Sequence, residues 1–408
     1  MGNGNFVFQI KFCGKSPALR LAANRQAVKK LSQKVKVFGY LLDKNFIQPN
    51  LRGLFWFFSH SAVICHFRTT NQHHNKDNMI KKTLLLILTV LTLQSCNLGT
   101  SGTWKNDNID KDKKEQIKIL NDKLFKAIIS NDVAGLKALM SDKLLEKGAN
   151  DLDKLINQVS TSFKSDGYRI LDEYNVHNST TGIGNTLPSG ISGDNDYVIN
   201  YQALNKEMYV SLLLPTGLDN ELLITAIYGN YDNQWKINIL QFGQYSLFKK
   251  TAPDYYKLAK ESYDKSYLID AVNYVGLSKQ CLRPANDFFQ YQKDKDINGF
   301  YDKIMKEVNS KFTFPMTVEN VDTKPKVFRI YPEMINEGFF PMVHYLTNIN
   351  LKDTTALKVE NEKVKKEINQ IFKGIDKDKK FVFYRAFNEI PNGKKLVEHY
   401  GFIDKRTE

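Results

Sequence analysis

The chain has 408 residues, with 58 Lys and Arg against 44 Asp and Glu, seven His, four Cys and a formal net charge of +14. That charge suggests a nucleic-acid or membrane-surface role, but its distribution removes the nucleic-acid reading. Residues 1–78 hold twelve basic and two acidic side chains, and residues 96–408 hold 44 basic and 42 acidic ones, a net of +2. Of the cysteines, only Cys96 and Cys281 lie beyond residue 95, so a fold built from that part rests on its core rather than on disulfides.

Residues 1–78 carry four of the seven His, including His73 and His74, and a cluster Phe55-Trp56-Phe57-Phe58. They show no capped helix-period stretch and no paired strand pattern. Residues 79–95 then read MIKKTLLLILTVLTLQS. Lys81 and Lys82 form a basic n-region, and 83–93 an apolar h-region. That run is barely half of the roughly 20 apolar residues a spanning helix needs. It ends in Leu93, Gln94, small Ser95 and Cys96.

This ending resembles the lipobox of bacterial lipoproteins, in Leu93, Ser95 and Cys96. The resemblance implies cleavage after residue 95, a membrane anchor of acyl chains such as palmitate on Cys96, and residence in the bacterial cell envelope, periplasmic or surface-facing. Each buried methylene contributes about 0.8 kcal/mol to such an anchor. Met79 is then the expected start, and 1–78 an upstream extension to be left out of fold reasoning. The alternatives are a basic cytoplasmic segment ahead of a signal anchor, or a short core helix that happens to precede a cysteine.

Polar residues 96–114 read as a flexible tether. Ile117, Leu120, Leu124 and Ile128 then recur at helical spacing, Asn131-Asp132 caps a second short helix over 133–140, and a third covers 151–165. The period changes to that of strands near 168–176, 197–204, 207–214, 221–231 and 235–248, with tight connections at Asn205 and at Asp232-Asn233. Three helices followed by a run of antiparallel strands resembles the cone-shaped fold shared by nuclear transport factor two and ketosteroid isomerase. The resemblance covers about 113–250 and implies a curved sheet closing over a pocket, without selecting its use.

Residues 251–284 are helical again. Tyr255, Leu258, Ala259, Ala271 and Pro284 resemble one tetratricopeptide helix pair, although no second copy is present; a plain helical hairpin is the simpler reading. The remainder reads as a helix over 299–308, strands near 311–318, 326–331 and 342–350, and a long helix from Thr354 or Thr355 to Phe372. A strand over 380–387 and a closing helix over 394–400 come last. The long helix has Leu357, Val364, Ile368 and Ile371 as its inner stripe. The fold class is therefore α+β. The chain divides into an extension (1–78), signal peptide (79–95), tether (96–114), cone-type domain (115–250), helical linker (251–298) and second α+β domain (299–408).

Little in the chain points to chemistry. Asp294, Asp296 and Asn298 fall at positions 1, 3 and 5 of a calcium loop, with Gly299 at 6 and Asp302 at 9, but Met305 stands where the bidentate Glu belongs. Asp-Lys-Asp also occurs at 110–112 and 376–378, so half the motif is a habit of this chain, and a capped turn is the plain reading. The glycines of 182–193 connect strand to strand rather than strand to helix, unlike a phosphate loop. His177, His344 and His399 lie far apart and form no zinc spacing. Without a catalytic signature, the expected function is a membrane-anchored module for a protein or small-molecule ligand, with calcium as the sole cofactor suggested. The rival is a small isomerase or hydrolase using the cone pocket, which predicts convergent polar groups in an open cavity.

Overall fold

The computed structural model describes residues 100–148, 152–393 and 395–406, all within one compact unit of mixed α and β structure. The extension, the n-region residues Lys81 and Lys82 and the lipobox residues Leu93, Ser95 and Cys96 lie outside the described residues. Among the described residues no helix is long and apolar enough to cross a membrane.

Helix α1 (Lys111–Ile129) starts at Asp110, whose carboxylate accepts from the N–H groups of Asp112 and Lys113. Helix α2 (Val133–Leu139) starts at Asp132, which accepts from Gly135 N–H at 2.8 Å. Such acidic caps satisfy first-turn donors that have no partner inside the helix. A short α3 (Asp142–Gly148) and α4 (Leu152–Ser162) come next. These helices pack on a five-stranded antiparallel sheet in the order β1 (Thr100–Lys105), β2 (Tyr168–Asn178), β5 (Glu207–Pro215), β6 (Leu222–Tyr231), β7 (Gln234–Gln244).

The central strand β5 is buried on both faces. Tyr209 and Leu213 meet Ile117, Leu124 and Ile128 of α1 on one side. On the other, Val210, Leu212 and Leu214 meet Tyr255, Leu277, Tyr197 and Ile199. This explains the run MYVSLLL, apolar apart from Tyr209 OH and Ser211, since a strand covered on both sides has no reason to alternate. Polar atoms inside the helix–sheet layer are chained together. Tyr228 OH donates to Asn121 Oδ1 at 2.8 Å, and Asn121 Nδ2 donates to Ser211 Oγ at 3.1 Å.

Part of the stretch read as a tether is thus a strand. Strand β1 leaves little trace in the sequence because it is a polar sheet edge, stitched down by side chains just beyond its end. Asn106 Nδ2 donates to Asp172 at 2.8 Å, Glu173 N–H donates to Asn106 Oδ1 at 2.9 Å, and Lys105 and Lys114 each sit 3.0 Å from one of these two carboxylates. Gly102 lets the Trp104 ring fold back, since a Cβ there would lie 2.3 Å from the ring. The glycine-rich segment also holds a strand, β3 (Gly184–Pro188), which pairs with β4 (Tyr197–Gln202); β4 in turn pairs with β8 (Phe289–Tyr291). Only Asn185 and Leu187 of β3 are buried, so its apolar signal is slight.

Helices α5 (Ala252–Asp264) and α6 (Leu268–Gln280) form the next pair, with Asp254 accepting from Thr251 N–H at 2.8 Å at its start. Helix α7 (Asp294–Lys311) starts five residues before the position expected. A second five-stranded sheet runs in the order β13 (His399–Lys405), β12 (Phe381–Phe387), β11 (Gly338–Leu346), β10 (Lys326–Ile335), β9 (Met316–Thr317). Strands β11 and β12 are parallel, joined through α8 (Thr354–Ile371), and the other pairs are antiparallel. Leu357, Val364 and Ile368 of α8 pack on Val343, Tyr345, Val382 and Tyr384. Asp353 caps α8, accepting from Ala356 N–H at 3.0 Å, so the cap lies just before the threonines expected there.

Of the closing helix expected over 394–400, residues 395–398 are irregular and strand β13 begins at His399. Of the apolar residues there, Val397 is buried but Leu396 is 93 % exposed, so a helix would bury too little, whereas a strand pairs with β12 over seven residues. For the first core, Leu213→Ala empties a fully buried site and is expected to cost about 3 kcal/mol. Urea unfolding checks this, and an unchanged midpoint would contradict burial of β5 on both faces.

Candidate functional site

The four residues of the partial calcium loop lie along α7 and not in a loop. Residues two apart on a helix point in nearly opposite directions, so Asp294 and Asp296 cannot converge on one ion. Asp294 is 4 % exposed and is held by Arg283, with Nε–Oδ2 at 2.8 Å and a second contact to Oδ1 at 3.1 Å. Asn298 Nδ2 donates to the Asp294 carbonyl at 2.9 Å and its Oδ1 accepts from Lys279, while Asp296 and Asp302 are exposed. The segment is a helix start held by an ion pair whose carboxylate is buried and whose guanidinium is partly exposed. Among the described residues no group of three or more potential metal ligands gathers. Cys281 is buried, and burial pushes its thiol well above the ordinary range, which makes it a poor nucleophile.

The fold does bring together residues far apart in sequence, on the outer face of the second sheet. Alternation along the strands puts Val343, Tyr345, Val382 and Tyr384 toward α8 and their neighbours outward. Phe340, Met342 and Phe383 are buried there, with Tyr331, Ile335 and Phe381 packed against them, and every member belongs to the sheet itself. Register sets Arg329 and Arg385 on either side of His344.

His344 is the centre of this face. It is 6 % exposed, its Nε2 lies 3.2 Å from Tyr331 OH, and its ring packs 4.9 Å from Phe387. Phe387 in turn lies 5.2 Å from the ring of His399. Burial, then the cations of Arg385 and Arg329, push the His344 pKa down to about 3, so the ring is neutral near pH 7 and serves as a hydrogen-bonding plate. Burial also pushes Tyr331 up to about 12. Arg385 pairs with Glu333 at 3.1 Å, and the Arg329 guanidinium lies 4.6 Å from the Tyr331 ring centre.

Beside His399, Leu351, Lys352, Leu396, Val397 and Glu398 line a shallow cleft of about 340 Å³. The face thus joins half-buried aromatic surface to two guanidinium groups. Stacking and cation–π contact are its chemistry.

Sequence reasoning takes the histidines one by one and does not bring His344 and His399 together. A signal is present in Phe381-Val-Phe-Tyr-Arg-Ala-Phe387, where both alternating sets are largely apolar. Such a strand has two faces to cover, and α8 covers one.

The histidine makes stability pH-dependent. Its folded pKa lies below the unfolded value of about 6.5, so its neutral form favours the fold above pH 6.5. That contribution is lost as pH falls toward 3, at about 1.4 kcal/mol per pH unit. His344→Gln is expected to flatten the fall in urea midpoint between pH 6.5 and 4; an equally steep fall in the variant would assign it elsewhere. No protein-family model, curated protein or solved structure matches the chain.

Proposed function

We propose that this chain is a lipid-anchored protein of the bacterial cell envelope that binds a protein or small-molecule ligand on the outer face of its second sheet. The anchor reading is carried by the n-region, the h-region and Cys96. The observation that carries the binding reading is the contrast between the sheets. Strand β5 of the first is covered on both faces, whereas among the described residues the hydrophobic cluster of Phe340, Met342, Phe383 and Phe381 draws its members from its own sheet alone. An aromatic face edged by arginines suits a flat apolar ligand with an anionic group, or a protein side bearing both.

The helices and strands β2, β5, β6 and β7 of 115–250 are proposed as the cone type, with 251–298 as a linker and 299–408 as a second domain. The rival enzyme reading needs an open cone pocket. Among the described residues, the layer between α1 and the sheet is packed with Ile117, Leu124, Ile128, Tyr209, Leu213 and Tyr228, all fully buried, and this favours binding over catalysis.

Two experiments test the proposal. Expressed in a bacterial host with labelled palmitate, the protein is expected to take up label, and Cys96→Ser to take up none. A mature product that retains residues 1–78 would overturn the anchor. For the face, 8-anilinonaphthalene-1-sulfonate serves as an anionic aromatic probe. Phe381→Ser combined with Arg385→Ala is expected to weaken its binding about tenfold, equivalent to about 1.4 kcal/mol; an unchanged titration would remove this face from the proposal.

A further inference from the structure

Sheet edges leave backbone N–H and C=O groups unpaired, and folded proteins blunt them with shortness, proline, bulges or a cover. Five of the six edges among the described residues are treated in this way. Strand β1 is bulged between Thr100 and Gly102, and β7 is bridged by Met140, with Ser141 N–H donating to Ile237 C=O at 2.9 Å. Strand β3 is five residues long and ends at Pro188, β8 has three residues and β9 has two. The sixth, β13, has seven residues, no proline and an unbroken register with β12.

The phase of that register is fixed. Arg406 N–H donates to Lys380 C=O at 2.9 Å, and Phe381 stands opposite Lys405. Hydrogen-bonded and non-hydrogen-bonded pairs alternate in an antiparallel ladder. Asp404, Phe402 and Tyr400 therefore bond to β12, and His399, Gly401, Ile403 and Lys405 turn their N–H and C=O groups to the open edge. Ile403 is 67 % exposed, and a Cβ built on Gly401 would meet nothing within 4 Å.

We propose that β13 pairs antiparallel with β13 of a second copy of this chain, about a twofold axis at Phe402, to make one ten-stranded sheet. An isologous contact must be self-complementary, and this one is. Phe402 is the midpoint of the strand, so all seven residues overlap. Gly401 faces Ile403 of the second copy, and the exposed isoleucine lies over the space beside the glycine. Phe402 faces its own copy, and Tyr400 faces Asp404. Lys405 faces His399, whose pKa is lowered by burial and by Arg385, so no like charges are opposed near pH 7. Centring instead on Asp404 would oppose two carboxylates, a destabilising arrangement.

On the helical side of the seam, Glu362, Lys366 and Asn369 of α8 line a cleft of about 370 Å³ with Asp404 and Lys405, and Asn369 Oδ1 is buried there without a partner. Glu362 and Lys366 are exposed and would meet their counterparts of opposite charge across the axis.

The test is sedimentation equilibrium of the full chain as the cell makes it, up to roughly 100 µM. A dimer is expected. Ile403→Pro removes an outward N–H that takes no part in the β12 ladder and is expected to give a monomer with an unchanged circular dichroism spectrum. Ile403→Lys, a surface change that spares the backbone, is expected to weaken the dimer at least tenfold. Cysteines at both Gly401 and Ile403 are expected to join two chains on mild oxidation, because hydrogen-bonded pairs stand about 5.5 Å apart between Cα atoms. A monomer throughout, a dimer that survives both Ile403 changes, or a double-cysteine variant that does not cross-link would each overturn the proposal. None of these outcomes touches the ligand reading of the outer face, whose probe titration is read separately.

Discussion

Burial of β5 on both faces is the constraint on which the rest of the first half depends. A strand with Met208, Val210, Leu212 and Leu214 on one side and Tyr209 and Leu213 on the other needs two covers. The helices from 111 to 162 supply one. The other comes from later in the chain, from the β3–β4 hairpin, β8 and the pair α5–α6. The first sheet therefore cannot complete its core without residues from about 250 onward. The helix pair α5–α6 is thereby tied into the first core.

The second half repeats the requirement and meets it differently. Helix α8 covers one face of its sheet, and the parallel step from β11 to β12 leaves the helix on that side. The outer face is closed by its own large side chains. Phe340 lies edge-on to Phe381 at 5.2 Å, and His344 is packed among Tyr331, Phe328 and Phe387. Self-cover of this sort buries Phe340, Phe383 and His344 and leaves Tyr331, Phe328 and Phe381 half-buried. A surface with that texture is apolar without being an exposed core.

Long periodic segments are legible in the sequence. The stripe of α1 and that of α8 appear where spacing places them, with Leu120 and Ile371 only half-buried at the margins. Strands β2 and β4 to β7 are legible from their apolar runs. Three kinds of element are not. Strand β1 is a polar edge fixed by side-chain bonds to Asp172 and Glu173, which have no periodic trace. Helix α7 begins at a residue whose role depends on Arg283, eleven positions earlier. The approach to strand β13 looks helical locally because Lys395, Leu396, Val397 and Glu398 can all sit in a helix, and only the pairing of the next residues with β12 decides otherwise. The outer-face site is illegible for a related reason. His344 and His399 are neighbours only through the ladder β11–β12–β13, a long-range pairing that no local pattern encodes.

Strand β1 has a mechanical consequence. Only three residues separate Cys96 from Thr100, where the strand begins. At no more than about 3.6 Å per residue, four peptide steps span about 14 Å. On the proposed anchor, the folded body would hang on a leash of that length at most. It would ride against the headgroup layer with the β1 edge toward the lipid, able to swivel about one corner but not to sample the space above the membrane. A ligand or second copy would then meet it by diffusion in two dimensions, at a height set by that corner.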